Sequence, residues 1–388
     1  MDIAAAHPAA DVSAARLLRA RIAVSCAFFI LGCGTGIWAV HIPVVAGRLG
    51  IDHGIVGLAL LTAAIGAVGT MPLTGMALGK LGSRMPTTVL AFAFALLTPI
   101  PILAPSVPLL FAALLFFGAC MGGLDVAMNV QASEVEIARK RPTMSSFHGF
   151  YSVGLLAGST FGGEVIGRGW GGGSGAIAGA IGLLAIAIWA ARNLWPTDRP
   201  VEGGPRFALP PVAVLGLGAI VFLAFAAEGG VTDWSALYLS TVKGSDLGKA
   251  ANGVQFFSVA MVVCRLTGDW MVARLGPTVT VAGGGGLIAA GMILAVASPW
   301  PLLSAIGFGI VGVGAANVVP VAISGASRTP GVAPGIGVAA VTNMGYAGFL
   351  IIPPVLGFVA TGFGLSISLL LVAAMGVAIA ALVGSVRR

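Results

Sequence analysis

The sequence predicts an all-α polytopic membrane protein whose twelve transmembrane helices form two pseudo-symmetric six-helix bundles, and three observations carry that prediction. Of the 388 residues, 58% are hydrophobic and 9% charged, with a mean hydropathy of +1.03, against roughly 45–50% apolar and about 25% charged in soluble domains. The apolar residues fall in long runs, and a helix needs about 20 of them to cross the hydrocarbon core. One polar, proline-bearing stretch interrupts the chain at its midpoint, and motifs on either side of it repeat.

The helices follow in order from apolar runs broken by charges, prolines and glycines. The first, 22–46, follows Arg16, Arg19 and Arg21 as a signal peptide's core would. It is longer than the roughly 7–15 residues of such a core, so it is expected to remain as the first membrane helix. Runs at 54–79, 86–104, 107–131, 147–168 and 173–192 complete the first half. The second half reads as 210–240, 250–273, 277–297, 300–323, 335–360 and 363–386. The first and seventh are long enough to include interfacial residues or to tilt. Between the halves lies RNLWPTDRPVEGGPRF, Arg192 to Phe207. The expected organisation is an N-terminal segment 1–21, a bundle 22–192, a linker 193–209 and a bundle 210–388.

Orientation follows from lysine and arginine, which are retained on the cytoplasmic side. With the N-terminus inside, the cytoplasmic segments hold fifteen of these residues: Arg16, Arg19, Arg21, Lys80, Arg84, Arg139, Lys140, Arg141, Arg192, Arg199, Arg206, Arg274, Arg328, Arg387 and Arg388. The other side holds four, Arg48, Arg168, Lys243 and Lys249, and Arg265 falls inside the eighth helix. That asymmetry predicts an even number of spans with both termini in the cytoplasm. It also explains the net charge of +7 without a nucleic-acid partner. The four cysteines lie in apolar stretches, and the four histidines have no zinc-ligand spacing, so neither a disulfide framework, a metal site nor a cofactor is expected.

The halves echo each other. Leu73-Thr74-Gly75 with Lys80-Leu81-Gly82 recurs as Leu266-Thr267-Gly268 with Arg274-Leu275-Gly276. Gly118 and Gly123 recur at Gly309 and Gly314, and Gly154 and Gly163 at Gly348 and Gly357. Parallel six-helix repeats are a transporter architecture with the substrate site between halves near the midplane. Over essentially the whole chain the pattern resembles the major facilitator superfamily. Its most specific token is RLTGDWMVARLG, Arg265 to Gly276, which is similar to the family's loop motif with Asp269 as the acid. The first-half copy, GMALGKLGSR, keeps Lys80 and Arg84 but has no acid, which implies a weaker charge latch there. By this resemblance Lys80, Arg84, Arg265, Asp269 and Arg274 are gating residues, Arg265 and Asp269 being four residues apart. GGLDVAMN, SFHGFYSVGLLAG and EGGVTDWSALYL resemble the fucose-permease-related, YbjJ-like branch. That resemblance implies a proton-coupled sugar symporter or a carrier of another solute.

A charge at the centre of a membrane helix costs at least about 2.5–3.5 kcal/mol, so each intramembrane carboxylate asks for a reason. Asp125 lies well inside the fourth helix, one turn before Asn129 and on the same face. Either it takes up and releases the transported proton, or it is a buried carboxylate hydrogen-bonded between helices. Glu228 and Asp233 lie in the seventh helix, about 140° apart around its axis. Glu228, the deeper, is a candidate for proton coupling or substrate hydroxyls, and Asp233, nearer the outer surface, for a gate. His148 opens the fifth helix, where it either relays protons with Asp125 or only caps and packs. Trp38 and Trp234 answer each other in the two halves, and either stack on a sugar-like ring or anchor at the membrane interface. Glu164 and Arg168, four apart, suit an intrahelical ion pair. Glu134 and Glu136 suit a solvated or loop-locking role.

Asn317 is the near counterpart of Asp125 in the repeat. With Asn129, Gln255, Asn343 and Tyr346 it supplies neutral hydrogen-bonding groups for a substrate. No arginine clamp is expected at midspan, which favours a neutral polyhydroxylated or amphipathic solute over an anion. The expected partners are therefore a small-molecule substrate, protons and the lipid bilayer, with the chain a monomer in a bacterial inner membrane. No nucleotide-binding G-x-x-x-x-G-K-[ST] motif is present in the sequence, so the expectation is a secondary transporter. Import of a sugar-like solute and proton-driven export of drugs or metabolites both remain open. A membrane enzyme would need a nucleophile and base or a metal set, and a sensor an output domain, neither of which this sequence offers.

Overall fold

The computed structural model describes residues 14–140, 143–170, 173–196, 211–332 and 334–386. Twelve helices run through them: α1 (Ala14–Leu49), α2 (His53–Leu81), α3 (Arg84–Leu103), α4 (Val107–Arg139), α5 (Met144–Gly167) and α6 (Gly173–Asn193), then α7 (Val212–Thr241), α8 (Leu247–Leu266), α9 (Gly268–Ala297), α10 (Pro301–Ala326), α11 (Pro334–Phe363) and α12 (Leu365–Val386). Eleven are long and apolar enough to cross a bilayer. The remaining one, α5, has the length, 24 residues, but carries His148, Ser152, Ser159 and Glu164 on a glycine-rich sequence. Large apolar side chains such as Phe116, Leu73 and Phe358 stay exposed, as lipid-facing surfaces require. Residues 197–210, which include most of the expected linker 193–209 with Arg199 and Arg206, lie outside the described residues, as do Arg141, Arg387 and Arg388.

Local chemistry sets several ends. Asp52 caps α2 by accepting from Ile55 N at 2.9 Å. Glu136 Oε2 accepts from Thr143 N at 2.6 Å and Met144 N at 2.7 Å at the start of α5, placing a carboxylate where the helix dipole favours it. The helix α1 is already formed at Ala14, the first described residue, so it includes Arg16, Arg19 and Arg21 ahead of the apolar run expected from 22. Thr267 N to Val263 O and Met271 N to Thr267 O carry helical bonding across the α8–α9 junction. The turn into the ninth span comes only at Gly276, with φ 76°. Gly82, its repeat mate, turns α2 into α3 with φ 69°. Both copies hold a conformation that costs glycine nothing and other residues dearly.

The two halves pack alike. In the first, α1 lies against α5 and α6, α2 against α4, and α3 against α4 and α6; in the second, α7 lies against α11 and α12, α8 against α10, and α9 against α10 and α12. The repeated glycines mark equivalent contacts. A Cβ on Gly154 would stand 2.3 Å from Phe29 O of α1, and one on Gly348 2.5 Å from Phe222 O of α7. Small residues that let backbones approach are what holds helices together where lipid removes the hydrophobic drive.

The bundles meet through α2 with α11, α5 with α8, and α1 with α7. On the side opposite the termini they touch backbone to backbone: a Cβ on Gly357 would lie 2.6 Å from His53 O, and one on Gly248 2.7 Å from Gly167 Cα. The protein is thus closed on that far side. Gly357→Val is expected to hold α2 and α11 apart there. Pulsed electron-spin distances between labels at the exposed Trp170 and Leu302 should lengthen, and an unchanged distance would refute this closure.

Candidate functional site

Two polar groups lie between the bundles at mid-helix. In the first, Asn129 Nδ2 donates to Asp125 Oδ1 at 3.1 Å and to Asp125 O at 2.8 Å. The Tyr346 hydroxyl of α11 donates to Asp125 Oδ2 from the opposite bundle. The spacing of Asp125 and Asn129 puts both on one face of α4, and α11 brings Tyr346 to that face. Behind Tyr346 stands Phe225, at 6.0 Å between ring centroids, itself stacked on Phe349 at 4.9 Å.

In the second group, Arg265 of α8 reaches Glu228 of α7 through Nη2, at 3.3 Å to Oε1 and 3.2 Å to Oε2. Its Nη1 donates to Ser152 Oγ of α5 at 3.0 Å. The side chains of Arg265 and Glu228 are 14% and 12% exposed, so the pair is largely withdrawn from solvent. Ser152 belongs to the first bundle, so this group, like the first, bridges the two halves. Tyr151 lies within electrostatic reach of Glu228, Arg265 and Asp125 together.

This arrangement alters two expectations. Arg265 forms its ion pair with Glu228, and the side chain of Asp269, its expected partner, lies outside the described residues. An arginine therefore does stand at midspan: a long side chain rooted near the helix end carries its guanidinium inward, which residue position along the chain does not reveal. Ser152 and Tyr151 were missed for a related reason, since hydroxyls are common in membrane helices and only the packing of α5 against α8 selects these two. Glycine contacts between α1 and α5, where a Cβ on Gly32 would fall 2.0 Å from Tyr151 O, hold Tyr151 and its neighbour in place.

The other candidates divide by position. Asn343, one turn from Tyr346 on α11, is exposed, as is His148. The ring of His148 meets Phe28 edge-on at 5.1 Å, and its charged neighbour is Arg265, so the structure sets it beside the second group rather than beside Asp125. Trp38 is 6% exposed and Trp234 fully buried, both within the closed part of the protein, and neither is open to a solute in this conformation. Gln255 lies at the far-side junction, with Nε2 at 3.5 Å from Ser159 O. Asn317 is buried and donates to Cys264 O at 3.1 Å, tying α10 to the end of α8 and away from Asp125. Asp233 is half-buried on α7. Glu164 and Arg168 form their intrahelical pair at 3.2 Å.

On the side of the termini, a carboxylate of α4 reaches the first-half turn whose motif lacks an acid. Ser83 Oγ, in the turn between α2 and α3, donates to Glu134 Oε2 at 2.7 Å, and Gln131 Nε2 donates to Ser83 Oγ at 2.6 Å and to Trp195 O at 3.0 Å. Glu134 thus locks that turn from α4. Arg84 Nη2 donates to Ala191 O at 3.2 Å, and Lys80 lies in the last turn of α2. In the second half the Arg274 guanidinium sits 4.7 Å over the Trp270 ring.

Two six-helix bundles, joined on one side and bridged at mid-membrane by buried polar groups, define a membrane transporter. The chain belongs to the Major Facilitator Superfamily, whose sequence profile matches residues 24–353. An uncharacterized MFS-type transporter of Yersinia pestis is 35% identical to it over 368 residues, covering 95% of this chain and 96% of that protein. Among solved structures, a bacterial homolog of the human lysosomal transporter Spinster, inward-facing and unoccupied, superposes with a TM-score of 0.74 at 16% identity, covering 97% and 98% of the two chains. The fucose:proton symporter FucP of E. coli superposes at 0.60 and 16% identity, covering 94% and 98%. At such identities the structural likeness shows a shared fold. The protein is a multi-pass integral membrane protein, and its family is one of transporters rather than enzymes.

Proposed function

We propose that this protein imports a neutral, sugar-like solute together with protons across the bacterial inner membrane, its two bundles rocking about the site between Asp125 and Glu228. The observation that carries this reading is the hydrogen bond from Tyr346 to Asp125, because it ties a proton-binding group to the contact between bundles. An ionised carboxylate accepts a charge-assisted bond, roughly twice as strong as a neutral one. Protonation of Asp125 would weaken the bridge and free the bundles to move. Asn129, Asn343 and Tyr346 offer neutral hydrogen-bonding groups for hydroxyls, and the Arg265 guanidinium at midspan is already paired with Glu228, which disfavours an anionic cargo. A fucose:proton symporter is built on the same fold. The positive-charge asymmetry puts the termini, and the solute's exit side, in the cytoplasm. Residues 22–192 and 210–388 are the two moving bodies of a monomer, with 193–209 the linker.

The test is a panel of neutral sugars and nucleosides offered to proteoliposomes holding a pH-sensitive dye. One class of neutral solute should enter down an imposed proton gradient and acidify the lumen as it does. Solute entry without proton movement would sink the coupling. Proton-driven exit of amphipathic cations in place of sugar entry would make the protein an exporter.

A further inference from the structure

Beside the root of the Arg265 side chain, one buried amide ties α10 to the end of α8. Asn317 is 5% exposed and sits at a break in α10, where its backbone, at φ −110° and ψ −3°, leaves the helical course. Val321 N donates to Asn317 O at 3.2 Å, and the helix resumes. The Asn317 Nδ2 donates to Cys264 O at 3.1 Å. Its Oδ1 lies against Gly268, where a Cβ would stand only 2.3 Å away. The amide is thus wedged into the junction of α8 and α9.

Cys264 belongs to the last turn of α8, where carbonyls run out of partners within the helix. The Val263 carbonyl accepts from Thr267 N, and the Cys264 carbonyl accepts from α10. What this carbonyl needs is a donor, which an amide has and an ionised carboxylate lacks. That is a physical reason for asparagine at the place in the repeat that nearly matches Asp125. The next residue along α8 is Arg265, whose guanidinium reaches Glu228 at 3.2 Å and Ser152 at 3.0 Å. A long side chain keeps such a direction only where the backbone beneath it is fixed, and helix ends fray.

We propose that Asn317 is a positioning residue for transport: by bonding the Cys264 carbonyl it holds the end of α8 so that Arg265 links Glu228 of its own bundle to Ser152 of the other. α10 thereby acts on the contact between bundles through α8, a role that rests on the reading of the Arg265 link as one that moves with transport.

The experiment reads the far side of the full-length protein directly and needs no solute. Spin labels at the exposed Trp170 and Leu302 report, in phospholipid nanodiscs, the ratio of closed to open conformers. Ser152→Ala cuts the link at its far end and should lower that ratio about tenfold or more, since a bond to a charged group is lost. Asn317→Leu, close in size but without a donor, should lower it roughly two- to tenfold, as loss of a neutral hydrogen bond does. Both changes together should lower it no further than Ser152→Ala alone, because they act on one link. If Asn317→Leu does not fold, Gly268→Ala takes its place: the added methyl displaces the amide from Cys264 O, and the backbone of Gly268 is not left-handed. Effects that multiply in full, or a lower melting temperature with an unchanged ratio, would overturn the positioning role and leave Asn317 a packing residue. An unchanged ratio in Ser152→Ala would overturn the Arg265 link itself, and with it that part of the proposed function.

Discussion

Asp125→Asn should reduce proton-driven accumulation to the level of protein-free liposomes while solute exchange without a gradient continues. The amide keeps the size of the carboxylate and one acceptor oxygen, so Tyr346 and Asn129 retain their neighbour, but it neither binds nor releases a proton. Exchange in counterflow separates this outcome from misfolding, because a misfolded carrier does neither. Tyr346→Phe removes only the bridge between bundles. A hydrogen bond to a charged group contributes about 1.5–3 kcal/mol, so the balance between conformations should move roughly ten- to a hundredfold while the protonatable group stays. Undiminished proton-driven uptake by Asp125→Asn would remove Asp125 from the coupling and leave Glu228 to be tested in its place.

The second large effect is expected at Glu228 and Arg265. Removing one member of a buried ion pair costs about 3–5 kcal/mol, and the slight exposure of this pair puts Glu228→Gln toward the lower end. Arg265→Met should cost less, because the carboxylate left behind can take up a proton, whereas a guanidinium stays charged. The double variant Glu228→Leu/Arg265→Met should recover most of the melting temperature, since replacing both partners by apolar groups avoids an unpaired charge. It should nevertheless fail to transport, because the link from α7 and α8 to Ser152 of the other bundle is gone. A double variant as unstable as the sum of the singles would show that the pair is not coupled. One that transports normally would make the pair structural only.

Much of the fold was legible in the sequence because the bilayer constrains it. Backbone groups in hydrocarbon must be bonded within the segment, so length and apolarity suffice to mark a spanning helix. The eleven apolar spans and their order follow from this, as does the repeat, whose glycines at 82 and 276 keep one backbone conformation. The fifth span, read at 147–168, carries the weakest apolar signal, since serine, histidine and glutamate dilute it. Asp125 and Asn129 could be paired from their helical spacing, and Glu164 with Arg168 likewise. Those are local relations, readable one turn apart.

Contacts between helices were another matter. The sequence by itself determined that this is a membrane protein of two repeated six-helix halves and which carboxylates lie within its spans, because insertion energy acts on each helix separately. Only the tertiary structure decided that Tyr346 reaches Asp125 from the other bundle, that Arg265 turns inward to Glu228 and Ser152, and that Asn317 is tied to Cys264 instead of the centre. It decided too that Glu134 accepts from Ser83 in the turn of the first-half motif. These partners are 37 to 221 residues apart in the chain. What brings them together is the close approach of small residues on neighbouring helices. That packing is a property of two surfaces at once, and no single stretch of sequence carries it.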